Sequence, residues 1–176
     1  MSSRATQQPF PTAAFADVLD ANAGYATTFQ HRDLSGRAAK GLAVVTCMDS
    51  RIEPLSILGM EPGDVKIIRN AGGRVTDDVL RTLLLGGHLL NVHRVLLMPH
   101  TDCKMASGSE ADMHQAIFEA SGMDTRAMEI RTVADQESAL ATDVMRVRTY
   151  PLLPPDLVVA GALYDVNTGR LLLRDY

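Results

Sequence analysis

The chain has 176 residues, a length that suits a single domain of ordinary size. Hydrophobic residues make up 46% of it and charged residues 22%, so it can bury a core without disulfide bonds, and general disorder is not expected. The formal net charge is −4, no block of basic residues occurs and aromatic residues are only 5%. These properties argue against a nucleic-acid binder and against docking on an anionic membrane.

No segment predicts export or a membrane span. The first 15 residues hold no apolar stretch long enough for a signal peptide. The most apolar window, residues 83–99, is interrupted by glycine, histidine, asparagine and arginine, so it does not predict a spanning helix. We therefore expect a cytoplasmic protein. In that reducing compartment, two cysteines are more often buried side chains, metal ligands or catalytic groups than a disulfide.

In chain order, the first predicted element is an N-terminal helix. Apolar side chains at helical spacing predict an amphipathic helix over residues 12–30. The polar, turn-rich residues 31–41 predict a hinge after it. Residues 1–41 are therefore predicted to form an N-terminal helical arm and a hinge.

From residue 42 onward, short apolar runs alternate with helical patterns. The predicted strands are residues 42–48, 65–68, 94–99, 157–164 and, after a hairpin turn, 171–173. The predicted helices are residues 53–59, 76–90, 109–121 and 135–149. This alternation predicts an α/β domain over residues 42–176, with a mainly parallel central sheet of four strands plus a C-terminal hairpin strand, flanked by helices.

Both cysteines and one histidine come just after predicted strands. Cys47 ends the first strand, and His100 and Cys103 follow the third. Because the carboxyl ends of parallel strands lie along one edge of a sheet, these side chains converge if the first and third strands are neighbours. Two thiolates and an imidazole suit zinc and leave its fourth position open for chemistry. The alternative is that Cys47 is a small buried side chain and that residues 100–103 form an ordinary turn.

Two charged residues follow Cys47 at a spacing that suits pairing. Asp49 and Arg51 are two positions apart, so they can form a charge-assisted, bidentate pair beside the predicted metal. The alternative is a surface ion pair of little energy.

Small residues follow the second predicted strand. In residues 69–73, RNAGG, they allow the backbone to approach a site on the same edge of the sheet. The segment lacks the Gly-x-Gly-x-x-Gly pattern and the lysine of a phosphate-binding loop, so nucleotide binding is not predicted.

Four blocks, taken together, resemble the β-class carbonic anhydrases in their order and approximate spacing. They are CMDSRIEP (47–54), VKIIRNAGG (65–73), HTDC (100–103) and LYDVNTGRL (163–171). The resemblance spans roughly residue 42 to the C-terminus, and the short length is similar to that of the smaller bacterial members. It implies the reversible hydration of carbon dioxide to bicarbonate by a metal-bound hydroxide.

The resemblance also assigns residues to roles. It implies that Cys47, His100 and Cys103 are the ligands of one zinc ion per chain and that Asp49 and Arg51 form the catalytic dyad. In some members the dyad aspartate ligates zinc at low pH, so Asp49 is a candidate fourth ligand in a closed state. The smaller bacterial members are obligate dimers in which the N-terminal helix packs across the partner, so we expect a homodimer or a higher oligomer.

Two departures from the family pattern leave other functions open. Lys104 stands directly after the second cysteine, where most members have glycine, and its side chain can favour a bound anion or obstruct the pocket. Residues 35–41, SGRAAKG, contain no glutamine, whereas plant-type members have one that contacts substrate or bicarbonate. One alternative is a hydrolase of COS or CS₂ on the same scaffold. The other is a catalytically silent zinc-binding regulatory protein.

Overall fold

The computed structural model describes residues 9–176, so the first eight residues of the predicted arm lie outside the described residues. The chain divides after residue 34 into two compact units. In the first unit, a 3-10 turn over Thr12–Phe15 leads into helix α1, Ala16–Thr27. The predicted helix over residues 12–30 is confirmed with a shorter α-helical core, since its last turn closes where the Thr28 N–H bonds to the Tyr25 carbonyl.

The apolar side chains of this first unit are exposed. No residue of α1 is buried. Seven large apolar side chains of the described part of this unit are exposed: Phe10, Phe15, Val18, Leu19, Tyr25, Phe29 and Leu34. An amphipathic helix of this kind has an apolar face that is available for contact with another surface.

The second unit is built on one five-stranded sheet. Its strands are β1, Leu42–Cys47; β2, Val65–Asn70; β3, Arg94–Met98; β4, Val158–Tyr164; and β5, Leu171–Arg174. Their order is β2-β1-β3-β4-β5, with the first four parallel and β5 antiparallel to β4. The predicted fold class is therefore confirmed. β2 runs two residues beyond its predicted end because Arg69 and Asn70 remain paired with Thr46 and Cys47.

Four further helices connect the strands. They are α2, Pro54–Leu58; α3, Asp77–Leu89; α4, Glu110–Ser121; and α5, Gln136–Arg148. Their starts follow the sequence signals: the Thr76 hydroxyl accepts from the Val79 N–H, and Ser109 forms a reciprocal capping box with Asp112. Within residues 9–176, no helix combines the length and apolar character needed to cross a membrane.

β1 lies at the centre of the core, and all six of its residues are buried. Because side chains alternate along a strand, β1 supplies two apolar clusters, one on each face of the sheet. Ala43 and Val45 belong to the cluster that includes the buried side of α3 and α5. Leu42 and Val44 belong to the other, which also contains Cys47 and Cys103. The two cysteines among the predicted metal ligands are therefore part of an apolar layer.

A buried ion pair ties the segment after β2 to α5. The Arg74 guanidinium donates from Nε to Asp143 Oδ2 at 2.7 Å and from Nη2 to Oδ1 at 3.3 Å. The same Oδ2 accepts the Val75 N–H at 3.2 Å. The Asp143 side chain is only 5% exposed, so its charge depends on these partners for compensation.

Asp143→Ala should destabilise the protein strongly. The substitution leaves the Arg74 guanidinium largely buried without a carboxylate, and breaking a buried pair in this way costs about 3 kcal/mol or more in free energy of unfolding. Denaturant unfolding measures the loss. Asp78→Ala, which removes the exposed partner of Arg81, is the matched control, with an expected loss of under about 1 kcal/mol. Equal losses in the two variants would contradict the prediction.

Candidate metal centre

The pairing of β1 with β3 brings the predicted metal ligands together. Cys47 is the last residue of β1, and His100 and Cys103 lie on the loop that follows the neighbouring strand β3. The two sulfur atoms are 3.9 Å apart. The sulfurs and a ring nitrogen of His100 all lie within 4.8 Å of one another, and all three residues are buried. The strand order thus satisfies the condition on which convergence depended.

His100 presents an unpaired ring nitrogen to the two sulfurs. Its Nδ1 lies 2.8 Å from the Thr101 carbonyl, which can only accept, so Nδ1 carries the proton. Burial lowers the pKa of His100, which favours the neutral ring. Nε2 then has a free lone pair, and it is buried with no hydrogen-bond partner among the described residues. A buried acceptor that faces two sulfurs and has no donor fits a role as a metal ligand.

The sulfur spacing fits a tetrahedral zinc ion. Zn–S bonds of about 2.3 Å at tetrahedral angles place two sulfurs about 3.8 Å apart, and the structure has 3.9 Å. Burial and the adjacent Cys47 sulfur raise the pKa of the Cys103 thiol to about 11. A bound cation would reverse that preference because cysteine ligates metals as the thiolate. The donor set and its spacing therefore fit zinc.

Asp49 and Arg51 form a bidentate pair beside this centre. Arg51 donates from Nε to Asp49 Oδ1 at 3.0 Å and from Nη2 to Oδ2 at 2.8 Å. Hydrogen bonds from the side chain and backbone of Arg51 hold the pKa of the Asp49 carboxyl well below its usual range. Asp49 Oδ2 lies 3.8 Å from His100 Nε2. An ionised carboxylate, which can only accept hydrogen bonds, therefore faces the ligand set.

The segment after β2 approaches the site as closely as its small residues predicted. Gly73 has φ = +65°, and a Cβ placed there would lie 3.1 Å from the Cys47 nitrogen and from the Thr46 carbonyl carbon. A side chain at this position would press on the backbone that carries Cys47. The glycine therefore fits both the left-handed conformation and the close approach.

The match to known proteins agrees with this geometry. Residues 42–171 match the family model described as carbonic anhydrase. Beta-carbonic anhydrase 1 of Mycobacterium tuberculosis is 32% identical over 155 residues, covering 88% of this chain and 94% of that relative. The chain belongs to the β-class carbonic anhydrase family. This confirms the resemblance drawn from the four sequence blocks.

Two further relatives show the range of the match. The crystal structure of carbonic anhydrase from Streptococcus mutans is 32% identical and covers 96% of this chain and 100% of that one, with a TM-score of 0.86. A carbon disulfide hydrolase of Acidithiobacillus thiooxidans is 29% identical over 160 residues, covering 77% of this chain and 73% of that enzyme. The relatives of this chain therefore include an enzyme named as a hydrolase of carbon disulfide.

Three side chains that support the site were not singled out from the sequence. Arg69 donates to the Cys47 carbonyl at 2.9 Å and to the Asp49 carbonyl at 2.7 Å. Gln136 donates from its amide to the His100 carbonyl at 2.7 Å. Asp102 accepts from Arg51 at 2.8 Å. The position of Asp102 between two predicted ligands could have indicated a role at the site. Nothing in the sequence indicated Gln136, which begins a helix and lies 36 positions after His100.

An open cleft of about 530 Å³ leads to the centre. Cys47 and Cys103 lie in its lining together with Met48 and Met105, so its wall is partly apolar. Lys104 also lines it, is exposed, and forms no side-chain hydrogen bond or ion pair within the described part of the chain. The cleft therefore combines an apolar wall, an ionised carboxylate and a free ammonium group.

Gly73→Ala should weaken zinc binding, because the new Cβ presses on the backbone of Cys47 in addition to straining its own backbone. Gly122 has a similar φ of +71°, and no atom lies within 4 Å of the position that a Cβ would take there, so Gly122→Ala tests the strain without the clash. We expect Gly122→Ala to lower the free energy of unfolding by about 1 kcal/mol. Gly73→Ala should lower it by about 2 kcal/mol more. Denaturant unfolding measures stability, and zinc titration measures the centre. Zinc affinity in Gly73→Ala equal to that in Gly122→Ala would contradict the prediction.

Proposed function

We propose that this protein is a zinc-dependent carbonate dehydratase that catalyses the reversible hydration of carbon dioxide to bicarbonate. The observation that carries the proposal is the pair of sulfurs 3.9 Å apart that faces the unpartnered Nε2 of His100. Family membership supports the same interpretation. In this proposal Cys47, His100 and Cys103 hold one zinc ion per chain.

Zinc, when bound, supplies a Lewis acid that makes a water molecule nucleophilic near neutral pH. Two thiolates would offset the formal charge of the ion, so the centre would be less acidic than one with three neutral ligands. The Asp49 carboxylate stays ionised through its bonds to Arg51, and it can accept a hydrogen bond from the attacking water and orient it. Arg51 acts by holding Asp49. The open cleft gives solvent or buffer a route by which to remove the proton.

The closed state expected from the resemblance stays a prediction. The structure shows Asp49 paired with Arg51, its Oδ2 3.8 Å from His100 Nε2. For Asp49 to become a fourth ligand, the carboxylate must leave Arg51. Activity at about pH 6.5 equal to that at about pH 8.5 would argue against such a state.

Stopped-flow CO₂ hydration by the zinc-loaded protein tests the main proposal. We expect rapid turnover, and its loss in Cys103→Ala, because two remaining ligands hold zinc much more weakly than three. Zinc content is measured in the same samples, so loss of activity can be matched to loss of metal. Ser121→Ala, at the end of α4, should keep both the zinc and the CO₂ hydration activity. Zinc bound stoichiometrically without CO₂ hydration would contradict the proposal.

A second function is favoured by the relatives that hydrolyse carbon disulfide. COS and CS₂ are linear and apolar like CO₂, and the methionine-lined part of the cleft offers them an apolar surface. The same preparation is therefore assayed for sulfide released from each. Turnover of CS₂ without turnover of CO₂ would establish this function in place of the first.

Lys104 is the basis of the silent-protein alternative, because it lines the cleft with an unpaired charge. If the side chain obstructs the pocket, the wild type binds zinc without turnover, and Lys104→Gly should create activity. If the wild type is active, the same substitution tests only how the charge affects anion binding.

We also propose a homodimer formed through the exposed apolar face of α1. Leu19→Asp places a charge on that face and should halve the mass measured by light scattering, because a buried unpaired charge disfavours the contact. Gly24→Asp adds the same charge on the side of the helix that faces away from these apolar residues, where no atom lies within 4 Å of the position of a Cβ, and it should leave the mass unchanged. A wild type that is monomeric, or a Leu19→Asp variant that remains dimeric, would contradict this proposal.

A further inference from the structure

The Arg51 guanidinium lies between two carboxylates, those of Asp49 and Asp102. Besides its two bonds to Asp49, it donates from Nη1 to Asp102 Oδ2 at 2.8 Å and from Nη2 to the Asp102 carbonyl at 3.0 Å. The Asp49 side chain is 19% exposed and the Asp102 side chain 73%. Asp49 therefore occupies the inner side of the guanidinium and Asp102 its outer side.

The two carboxylates belong to different loops, Asp49 to the loop after β1 and Asp102 to the loop after β3. Each can therefore fix the Arg51 side chain relative to a different part of the site. Asp49 and Arg51 follow β1 and are two residues apart, so their mutual bonds orient them relative to each other. Arg69 holds the backbone of that loop through the Cys47 and Asp49 carbonyls, but it does not touch the Asp49 carboxylate. Nothing in these contacts relates the orientation of the Arg51 side chain to His100 and Cys103.

Asp102 supplies that relation because it lies between those two ligands. Its loop is itself anchored: the Thr101 N–H bonds to the Tyr164 carbonyl at 2.9 Å, and Gln136 donates to the His100 carbonyl. Asp102 has φ = +54°, a left-handed conformation that aspartate adopts more readily than most residues. In this conformation both its carbonyl and its carboxylate meet Arg51.

We propose that Asp102 is a positioning residue, which holds the outer side of Arg51. It thereby fixes the Asp49–Arg51 pair relative to the loop that carries His100 and Cys103. Arg51 in turn keeps Asp49 Oδ2 directed toward the metal centre. The inference rests on the proposed function, since it assigns Asp102 to the orientation of the catalytic dyad. It concerns geometry, so zinc affinity and global stability should depend little on Asp102.

Two substitutions separate the side chain from the backbone conformation. Asp102→Gly removes the carboxylate and tolerates the left-handed conformation, whereas Asp102→Asn keeps the size and an accepting oxygen without the charge. We expect kcat for CO₂ hydration to fall about tenfold in Asp102→Gly, less than the roughly 100-fold that a displacement of about 1 Å brings. Asp102→Asn should show a smaller loss. Asp78→Asn, at a distant exposed pair, should show none.

A double-mutant cycle tests whether Asp102 acts through Arg51. In an Arg51→Ala background, Asp102→Gly should lower kcat by less than about twofold, because the contact it would remove is already gone. Zinc content is measured in every variant. The proposal is overturned if Asp102→Gly is equally harmful in both backgrounds, if it is harmless in the wild type, or if it strips the zinc.

A second readout does not depend on activity. Nitrogen-15 NMR of arginine side chains reports the exchange of the two Nη groups of Arg51, with Arg51→Lys identifying the signal. We expect this exchange to be several-fold faster in zinc-loaded Asp102→Gly than in the wild type, and an unchanged rate would overturn the inference. If the wild type lacks CO₂ hydration but the exchange is faster in the variant, the proposed function fails while the positioning contact stands.

Discussion

The parallel pairing of β1 with β3 is the constraint on which the site depends. It places the end of the first strand beside the end of the third, so that residues 47 and 103 meet across 56 positions of sequence. A buried bond from the Thr46 hydroxyl to the Met98 carbonyl, 2.7 Å long, reinforces the pairing one residue before Cys47. A shift of register by one residue would turn every side chain of β1 to the opposite face and would separate the sulfurs.

The centre combines an apolar layer with a polar rim. The two sulfurs lie in the layer and the His100 ring is buried beside them, where a bound cation would compensate thiolates and complete the bonding of Nε2. The charged side chains of Asp49, Arg51 and Lys104 line the open cleft, where they are within reach of solvent. This separation would let one small domain hold a metal ion while the Asp49–Arg51 pair stays accessible.

Three side-chain contacts anchor the segments around the site, two of them through carbonyl groups and one through an ion pair. Arg69 holds the loop after β1, Gln136 holds the loop after β3, and the Arg74–Asp143 pair holds the segment that passes beneath Cys47. Each loop thus has an anchor on a neighbouring strand or helix. Asp102 joins the first two loops through Arg51, which makes the dyad and the ligand set parts of one network.

Much of this protein followed from local pattern in the sequence. The apolar run of β1, the caps of α3 and α4, and the pairing of Asp49 with Arg51 depend on residues a few positions apart, so the sequence alone determined them. The strand order was different, because several orders satisfy the same alternation of strands and helices. Only the tertiary structure decided that β1 and β3 are neighbours, that Gln136 reaches the His100 carbonyl and that Asp102 meets Arg51. These contacts join residues whose separation in sequence carries no local signal, and only packing into one sheet brings them within bonding distance.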